Sequence, residues 1–208
     1  MNLKKIRILV ADDHAIVRMG LVALLTTEQD MEVIGEAEDG EEAVKLAESA
    51  RPDVVIMDIM MPTMDGIAAT EEIVRRMPEA KVLILTTSGS SDDYSRALAA
   101  GAYGIVVKRA ANMELLAAIR KVAAEKKTIS PEARRLMQDD PPTPKLTERQ
   151  LGIIHSMMRG LTNREIAVQF SITPNGVKAH IKRVCNKIGA ANRTEAVAIA
   201  MRKHLLKL

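Results

Sequence analysis

The chain has one cysteine, Cys185, no tryptophan, and only three aromatic residues in 208: Tyr94, Tyr103 and Phe170. A single thiol can neither close an internal disulfide nor build a cysteine cluster around a metal, which excludes both scaffolds. Such sparing use of cysteine fits a reducing compartment, and a cytoplasmic location is expected. With so few rings, any core must be aliphatic and rich in methionine, of which there are 13. No run approaches the ~20 apolar residues of a membrane helix, so no membrane span is expected. Met1-Asn2-Leu3-Lys4-Lys5 leads into a short apolar run broken by Asp12 and Asp13, unlike a secretory signal.

What is present is globular: 47% hydrophobic and 27% charged residues. The net charge of +3 hides an asymmetry, with −5 over residues 1–127, −1 over 128–144 and +9 over 145–208. An acidic front and a basic back suggest two domains with different partners. The basic part fits a polyanion such as nucleic acid, or a merely solvated basic surface; charge alone does not separate the two.

The division falls in a linker at 128–144, where Asp139-Asp140-Pro141-Pro142-Thr143-Pro144 favours an extended, semi-stiff segment. Ser130-Pro131 upstream predicts a short helix through Met137. Before the linker, apolar runs at Ile6–Ala11, Met31–Ala37, Asp53–Met57, Lys81–Thr86 and Gly104–Val107 alternate with amphipathic stretches near 14–26, 40–49, 66–76, 92–100 and 112–124. Most runs are continuous, as in strands covered on both faces. Five strands alternating with five helices predict an α/β, doubly wound, five-stranded parallel sheet over residues 1–127.

After the linker the pattern is helical. Thr147 with Gln150, Thr162 with Glu165 and Asn192 with Glu195 have capping-box spacing, Thr173 precedes Pro174, and Gly160 and Gly189 sit at helix stops. Four short helices over 145–208 make a small all-α unit, a helix-turn-helix candidate.

In an open α/β sheet, ligands bind beyond the carboxyl ends of the strands. Asp12 and Asp13 end the first strand and Asp58 the third. Three converging carboxylates repel unless a cation joins them, and Mg²⁺ prefers such oxygen ligands. Asp58 could then serve as a nucleophile forming an aspartyl-phosphate. Thr86 and Lys108 end the fourth and fifth strands, placing a hydroxyl and an ammonium on the same rim.

These motifs, Val10-Ala11-Asp12-Asp13-His14, Met57 through Gly66, Leu85-Thr86-Thr87 and Val106-Val107-Lys108, resemble the receiver domain of bacterial two-component response regulators. Leu146-Thr147-Glu148-Arg149, Gly160 through Ala167, Val177-Lys178-Ala179-His180 and Asn192 through Val197 resemble a LuxR-type helix-turn-helix. Together they are similar to the NarL/FixJ subfamily over nearly the whole chain. The resemblance implies a flavodoxin-like receiver and a transcription regulator, not a turnover enzyme. It is switched when Asp58 takes a phosphoryl group from a sensor histidine kinase. It further implies Mg²⁺ on Asp13, Asp58 and the Met60 backbone carbonyl, with Asp12 assisting, and responses by Thr86 and Lys108. DNA is the implied partner, together with a homodimer when phosphorylated.

The predicted helix from Pro174 to about Ile188 carries an apolar stripe of Val177, Ile181, Val184 and Ile188. Lys178, Ala179, Lys182, Arg183 and Lys187 are left outward. The resemblance places base contacts near Lys178, Ala179 and Lys182; Thr162, Asn163, Arg183 and Lys187 are candidates for the DNA backbone. His180 reads as a partly buried or phosphate-facing histidine, and Cys185 as a small core residue.

The chain also departs from the family pattern. Ile105 stands where an aromatic is usual, Thr63 where glycine is common, Thr87 where a smaller residue is usual, and Gly176 where threonine is usual. Arg109 follows Lys108 where an acidic, hydroxyl or proline residue is more familiar. Met60 and Ser88 occupy positions that tune aspartyl-phosphate lifetime in the family. Ile105, Thr87 and Arg109 leave open an alternative, a phosphorylation-independent DNA-binding regulator whose receiver is a dimerisation module. A Mg²⁺-dependent phosphohydrolase is disfavoured by the lack of any cap insertion or Gly-rich phosphate loop.

Overall fold

The computed structural model describes residues 5–87, 89–108, 111–139, 142, 146–203 and 205. The departures at Ser88 and Arg109 and most of the Pro-rich stretch (Pro141, Thr143, Pro144 and Lys145) lie outside the described residues. The chain divides into two compact units, Met1–Asp140 and Pro141–Leu208.

The first unit begins as the hydropathy pattern requires. Strands β1 (Ile6–Ala11), β2 (Met31–Ala37), β3 (Val54–Met57), β4 (Lys81–Thr86) and β5 (Gly104–Val107) alternate with helices. These are α1 (Ala15–Thr26), α2 (Gly40–Ala50), α3 (Gly66–Arg76), α4 (Ser91–Ala99) and α5 (Asn112–Ala123). These five strands pair in parallel in the order β2-β1-β3-β4-β5. Every residue of β3 and β5 is buried, because helices cover both faces. Leu9, Val55, Met57, Ile84 and Ile105 face a core with the helices α2, α3 and α4. Ile8, Val10, Ile56, Leu83 and Val106 face a second core with α1 and α5. Alternate residues of one strand thus feed opposite cores, which is the period-2 rule at work.

The expectation of five strands is corrected to six. Strand β6 (Thr128–Ile129) pairs parallel with Gly104 and Ile105. Two residues are too short to show any periodicity. They form a strand because the edge of β5 has backbone groups to satisfy: the Thr128 and Ser130 amides donate to the Tyr103 and Ile105 carbonyls at 3.1 and 2.8 Å.

The segment assigned to a linker likewise joins the first unit as far as Asp139. Helix α6 (Pro131–Asp139) starts where Ser130 Oγ accepts the Ala133 amide at 3.2 Å, and runs two residues past the expected end. Ala133 is fully buried in the core that holds Ile105, with Ile129 and Met137 packed against it. The domain edge therefore lies near residue 140 rather than 127, since apolar burial and not composition sets it.

The second unit has four helices: α7 (Glu148–Met158), α8 (Asn163–Gln169), α9 (Pro174–Ile188) and α10 (Arg193–Arg202). Capping boxes close at Thr147/Gln150 and Thr162/Glu165. At Asn192 only half of the box forms, because Glu195 bonds the Ala191 amide instead of the cap's own. Thr173 caps α9 through the Gly176 amide, with Pro174 in the first turn, and Gly189 ends it at φ +76°. The core joins Ile153, Met157, Ile166, Val177, Cys185 and Ile199.

Candidate functional site

The parallel sheet brings the ends of β1, β3 and β5 to one edge. Asp12 and Asp13 follow Ala11, Asp58 follows Met57 and Lys108 follows Val107. The β-ladder continues just past the strands: the Asp58 amide donates to the Ala11 carbonyl at 2.9 Å and the Lys108 amide to the Thr86 carbonyl at 2.8 Å. Backbone pairing, not side-chain attraction, therefore sets the spacing of the charged groups.

At that edge the Lys108 ammonium donates to Asp58 Oδ2 at 2.7 Å and also to Asp12 Oδ2. Asp12, Asp58 and Thr86 are buried at 1%, 3% and 1% exposure. Asp13 is more open, and its Oδ1 lies 2.6 Å from His14 Nδ1. Asp12 Oδ1 accepts the His14 amide at 3.0 Å, and Asp58 Oδ1 accepts the Ile59 amide at 2.7 Å. Ligand atoms of Asp12, Asp13, His14 and Asp58 all lie within 4.8 Å of one another.

Three carboxylates face a single ammonium, so the cluster is two negative charges in excess when all are ionised. Hard oxygen donors with that charge fit a divalent cation such as Mg²⁺, with water and phosphate oxygens completing the shell. Asp12, Asp13 and Asp58 are the carboxylates that would hold such a cation. Met60 lies two residues beyond Asp58 with its side chain half exposed, leaving the loop open to solvent on that side.

The loop after β3 is shaped by two backbone positions. Gly66 opens α3 beneath Asp58, and a Cβ there would lie 1.8 Å from the Asp58 carbonyl oxygen. Only glycine allows that approach. Thr63 has φ +62°, the left-handed region that explains why glycine is common at this place. Ile105 is fully buried in the core beside α6, so no aromatic ring turns there.

Two residues were missed by the sequence reading as members of this site. His14 was seen only as part of the Asp-Asp-His motif. Arg18 sits on the inward face of α1 with Leu21 and Leu25, at 7% exposure. Its signal was a lone cation at helical spacing on an apolar stripe. Arg18 Nη1 donates to the Asp12 carbonyl at 2.6 Å and Nη2 to Glu38 Oε1 at 2.5 Å.

The second unit presents its candidate interface on α9. Val177 and Val184 are fully buried and Ile181 and Ile188 partly so, as the stripe requires, and α8 packs against α9. Lys178, Ala179, Lys182 and Arg183 are exposed and Lys187 is half-buried. Arg183 lies along the helix, its Nε donating to the Ala179 carbonyl at 3.3 Å. Thr162 and Asn163 have local work: Thr162 caps α8, and Asn163 Oδ1 accepts from Arg193 at 3.1 Å, Arg193 also donating to the Leu161 carbonyl. His180 is half-buried; burial, aided by Arg183 and Arg149, pulls its imidazole below the usual range. Burial pushes the Cys185 thiol up, consistent with a packing role.

A flavodoxin-like domain presenting carboxylates and a lysine at one sheet edge, followed by a basic helix-turn-helix unit, defines the class of two-domain signalling transcription factors. Comparison with known proteins agrees. Residues 8–120 match the response regulator receiver domain, and residues 144–200 match the bacterial regulatory proteins of the luxR family. The chain belongs to the response regulators of two-component systems, of the NarL/FixJ type.

It is 39% identical over 209 residues to the transcriptional regulatory protein LiaR of Bacillus subtilis (strain 168), covering 97% of this chain and 99% of that one. It is 34% identical over 207 residues to the response regulator protein VraR of Staphylococcus aureus, with the same coverage. The crystal structure of ChrA, a response regulator in a heme-sensing two-component system, is 34% identical and superposes at a TM-score of 0.59 over 98% of this chain and all of that one. RcsB in a complex of two dimers bound to two parallel DNAs shares the fold at a TM-score of 0.72, covering 96% of this chain and 99% of that one at 24% identity. No described helix is long and apolar enough to cross a membrane.

Proposed function

We propose that this response regulator is switched by phosphorylation of Asp58 by a sensor histidine kinase, and that the switch controls DNA binding by α9. The supporting observation is the Lys108 ammonium shared between the buried carboxylates of Asp58 and Asp12. An Asp58 oxygen attacks the phosphorus of a kinase phosphohistidine. The P–N bond breaks, and the imidazole leaves with its electron pair. Mg²⁺, when bound by Asp13, Asp58 and the Met60 carbonyl with help from Asp12, supplies charge neutralisation for the transferring group. Lys108 then follows charge from the bare carboxylate to the phosphoryl oxygens, and the Thr86 hydroxyl donates to the same group. Phosphorylation replaces the single charge of the carboxylate by the roughly −2 of an acyl phosphate, a net gain of about one negative charge carried on three new acceptor oxygens, enough to favour a rearranged surface.

On the DNA side, Lys178, Ala179 and Lys182 meet base edges, and Thr162, Asn163, Arg183 and Lys187 meet the backbone. The active form is a homodimer reading two half-sites related by its two-fold axis.

The test is intact mass and DNA affinity before and after acetyl phosphate with Mg²⁺, alongside Asp58→Ala. One phosphate added only when Asp58 is present, with tighter DNA binding, is the expected result. No adduct and unchanged DNA binding would favour the phosphorylation-independent regulator, in which Ile105 and Thr87 have cost the receiver its switch.

A further inference from the structure

Asp12 is held at every polar atom. Its amide donates to the Ala37 carbonyl at 3.1 Å, Oδ1 accepts the His14 amide, Oδ2 accepts from Lys108, and its carbonyl accepts from Arg18. Asp13 has no such set: its one described side-chain partner is the exposed His14. Yet Asp13 is assigned to the metal. Its position must be inherited from the peptide before it, and the carbonyl of that peptide is the one Arg18 holds.

Fixing the Asp12 carbonyl fixes the plane of the Asp12–Asp13 peptide, hence ψ of Asp12 and φ of Asp13. Those two angles decide where the Asp13 side chain leaves the chain. Arg18 is suited to this task. It lies one turn into α1, its amide bonded to the His14 carbonyl, so the helix anchors it. Its fork reaches the Asp12 carbonyl with one nitrogen and Glu38, just past β2, with the other. Glu36 lies 3.9 Å away, and Arg18 Nε is buried without a hydrogen-bond partner. A buried guanidinium with one orphaned N–H is costly for a residue whose purpose is stability alone.

We propose that Arg18 is a positioning residue for the divalent-cation site, acting through the Asp12–Asp13 peptide, with Glu38 orienting its guanidinium. This rests on the reading of Asp12, Asp13 and Asp58 as the cation site. Lysine in its place can bond the carbonyl or Glu38 but not both in a fixed plane.

The experiment measures Mn²⁺ binding to the full-length protein by electron paramagnetic resonance, Mn²⁺ being an oxygen-preferring stand-in for Mg²⁺. Outer partners of metal ligands are worth about 10–100-fold in affinity, so Arg18→Gln should weaken Mn²⁺ by about tenfold or more. Arg18→Lys should recover part of the loss, and Glu38→Gln, at an exposed carboxylate, should lose a few-fold without unfolding risk. The Mg²⁺ concentration giving half-maximal phosphorylation by acetyl phosphate should rise in the same order, with the rate at saturating Mg²⁺ largely retained. If Arg18→Gln does not fold, Glu38→Gln and Arg18→Lys decide. A folded Arg18 variant with a lowered melting temperature but parental Mn²⁺ affinity overturns the proposal and leaves Arg18 a stability residue. Asp13→Asn and Asp58→Asn separate the two ideas: if neither weakens Mn²⁺, the cation site itself is misassigned.

Discussion

A side chain at residue 66 would collide with the backbone of Asp58: the Gly66 Cβ position lies 1.8 Å from the Asp58 carbonyl oxygen and 3.0 Å from Met57 Cγ. The Gly66 amide meanwhile donates to the Ile59 carbonyl at 2.9 Å, so the start of α3 is tied under the loop that follows Asp58. Gly66→Ala must push that loop or the helix aside. A loss of about 1–3 kcal/mol is expected for overpacking of this kind, more if the backbone cannot shift. Urea unfolding would measure it. Because the obstructed atom belongs to Asp58, phosphorylation by acetyl phosphate should fall as well. A variant of parental stability and parental phosphorylation would mean that the loop is free to move.

Among the described residues, Lys108 is the cation that bridges the Asp12 and Asp58 carboxylates. Its side chain is 9% exposed and theirs 2% and 4%, so solvent screens the trio little. Lys108→Met leaves two buried carboxylates facing each other, a loss of up to about 3–5 kcal/mol by analogy with other broken buried pairs. A divalent cation competes with the ammonium for the same charge. The melting temperature of Lys108→Met should therefore rise more with added Mg²⁺ than that of the parent. Equal shifts in both proteins would show that the lysine and the cation do not share one field.

The extent of the first unit gives a third expectation. Cutting after residue 127 removes β6 and α6; cutting after 139 keeps them. The shorter fragment uncovers the edge of β5 and the core around Ile105, where Ala133 is fully buried with Ile129 and Met137 against it. A deficit of about 2–3 kcal/mol from that lost burial corresponds to a melting temperature roughly 5–10 °C lower. Calorimetry on both fragments checks it, and equal melting points would return residues 128–139 to the linker.

That boundary also shows where sequence reading stops. Strands β1, β4 and β5 were legible to the residue because buried parallel strands are continuous apolar runs, and edge strand β2 was legible to the residue although Glu32 and Glu36 interrupt it. The helix starts of the second unit were legible because capping residues act locally. The left-handed backbone of Thr63 was not read from the sequence, where the residue stood out only as a departure from a common glycine. Asp12, Asp13, Asp58 and Lys108 could be gathered because strand ends of a parallel sheet share one edge. Strand β6 was not legible, since two residues carry no period and its pairing depends on β5 being an edge. Arg18 was not, because its partners, the Asp12 carbonyl and Glu38, become neighbours only when β1 and β2 pair. Asn163 was assigned to DNA without foresight of Arg193, thirty residues on, which occupies its side-chain oxygen.

The helical unit should be sensitive to acid through His180. Burial chiefly, then Arg183 and Arg149, lowers its pKa from the ordinary 6.5. The unfolded chain then binds protons more readily than the folded one, so the stability His180 contributes is full above about 6.5 and is lost as pH falls through the folded value. Urea melts of residues 141–208 should show falling stability on acidification from pH about 7 to about 5, a trend that His180→Gln flattens. An unchanged slope in His180→Gln would assign the pH dependence elsewhere.

The α9 surface separates two kinds of DNA contact that affinity alone would merge. Lys178, Ala179 and Lys182 are exposed together near the start of α9, while Arg183 is partly spent on the Ala179 carbonyl. A lysine on a phosphate releases a counterion, so its loss weakens every DNA alike and lowers the salt slope by about one. A lysine on a base edge changes discrimination instead, by about 1–3 kcal/mol at one position. Lys178→Ala and Lys182→Ala are expected to reduce preference for the operator over random DNA. Lys187→Ala should weaken both and flatten the salt dependence. Fluorescence anisotropy at several salt concentrations distinguishes these outcomes. If Lys178→Ala and Lys182→Ala only flatten the slope and leave the preference intact, α9 grips the backbone, and specificity must be sought in another element or in the shape of the DNA.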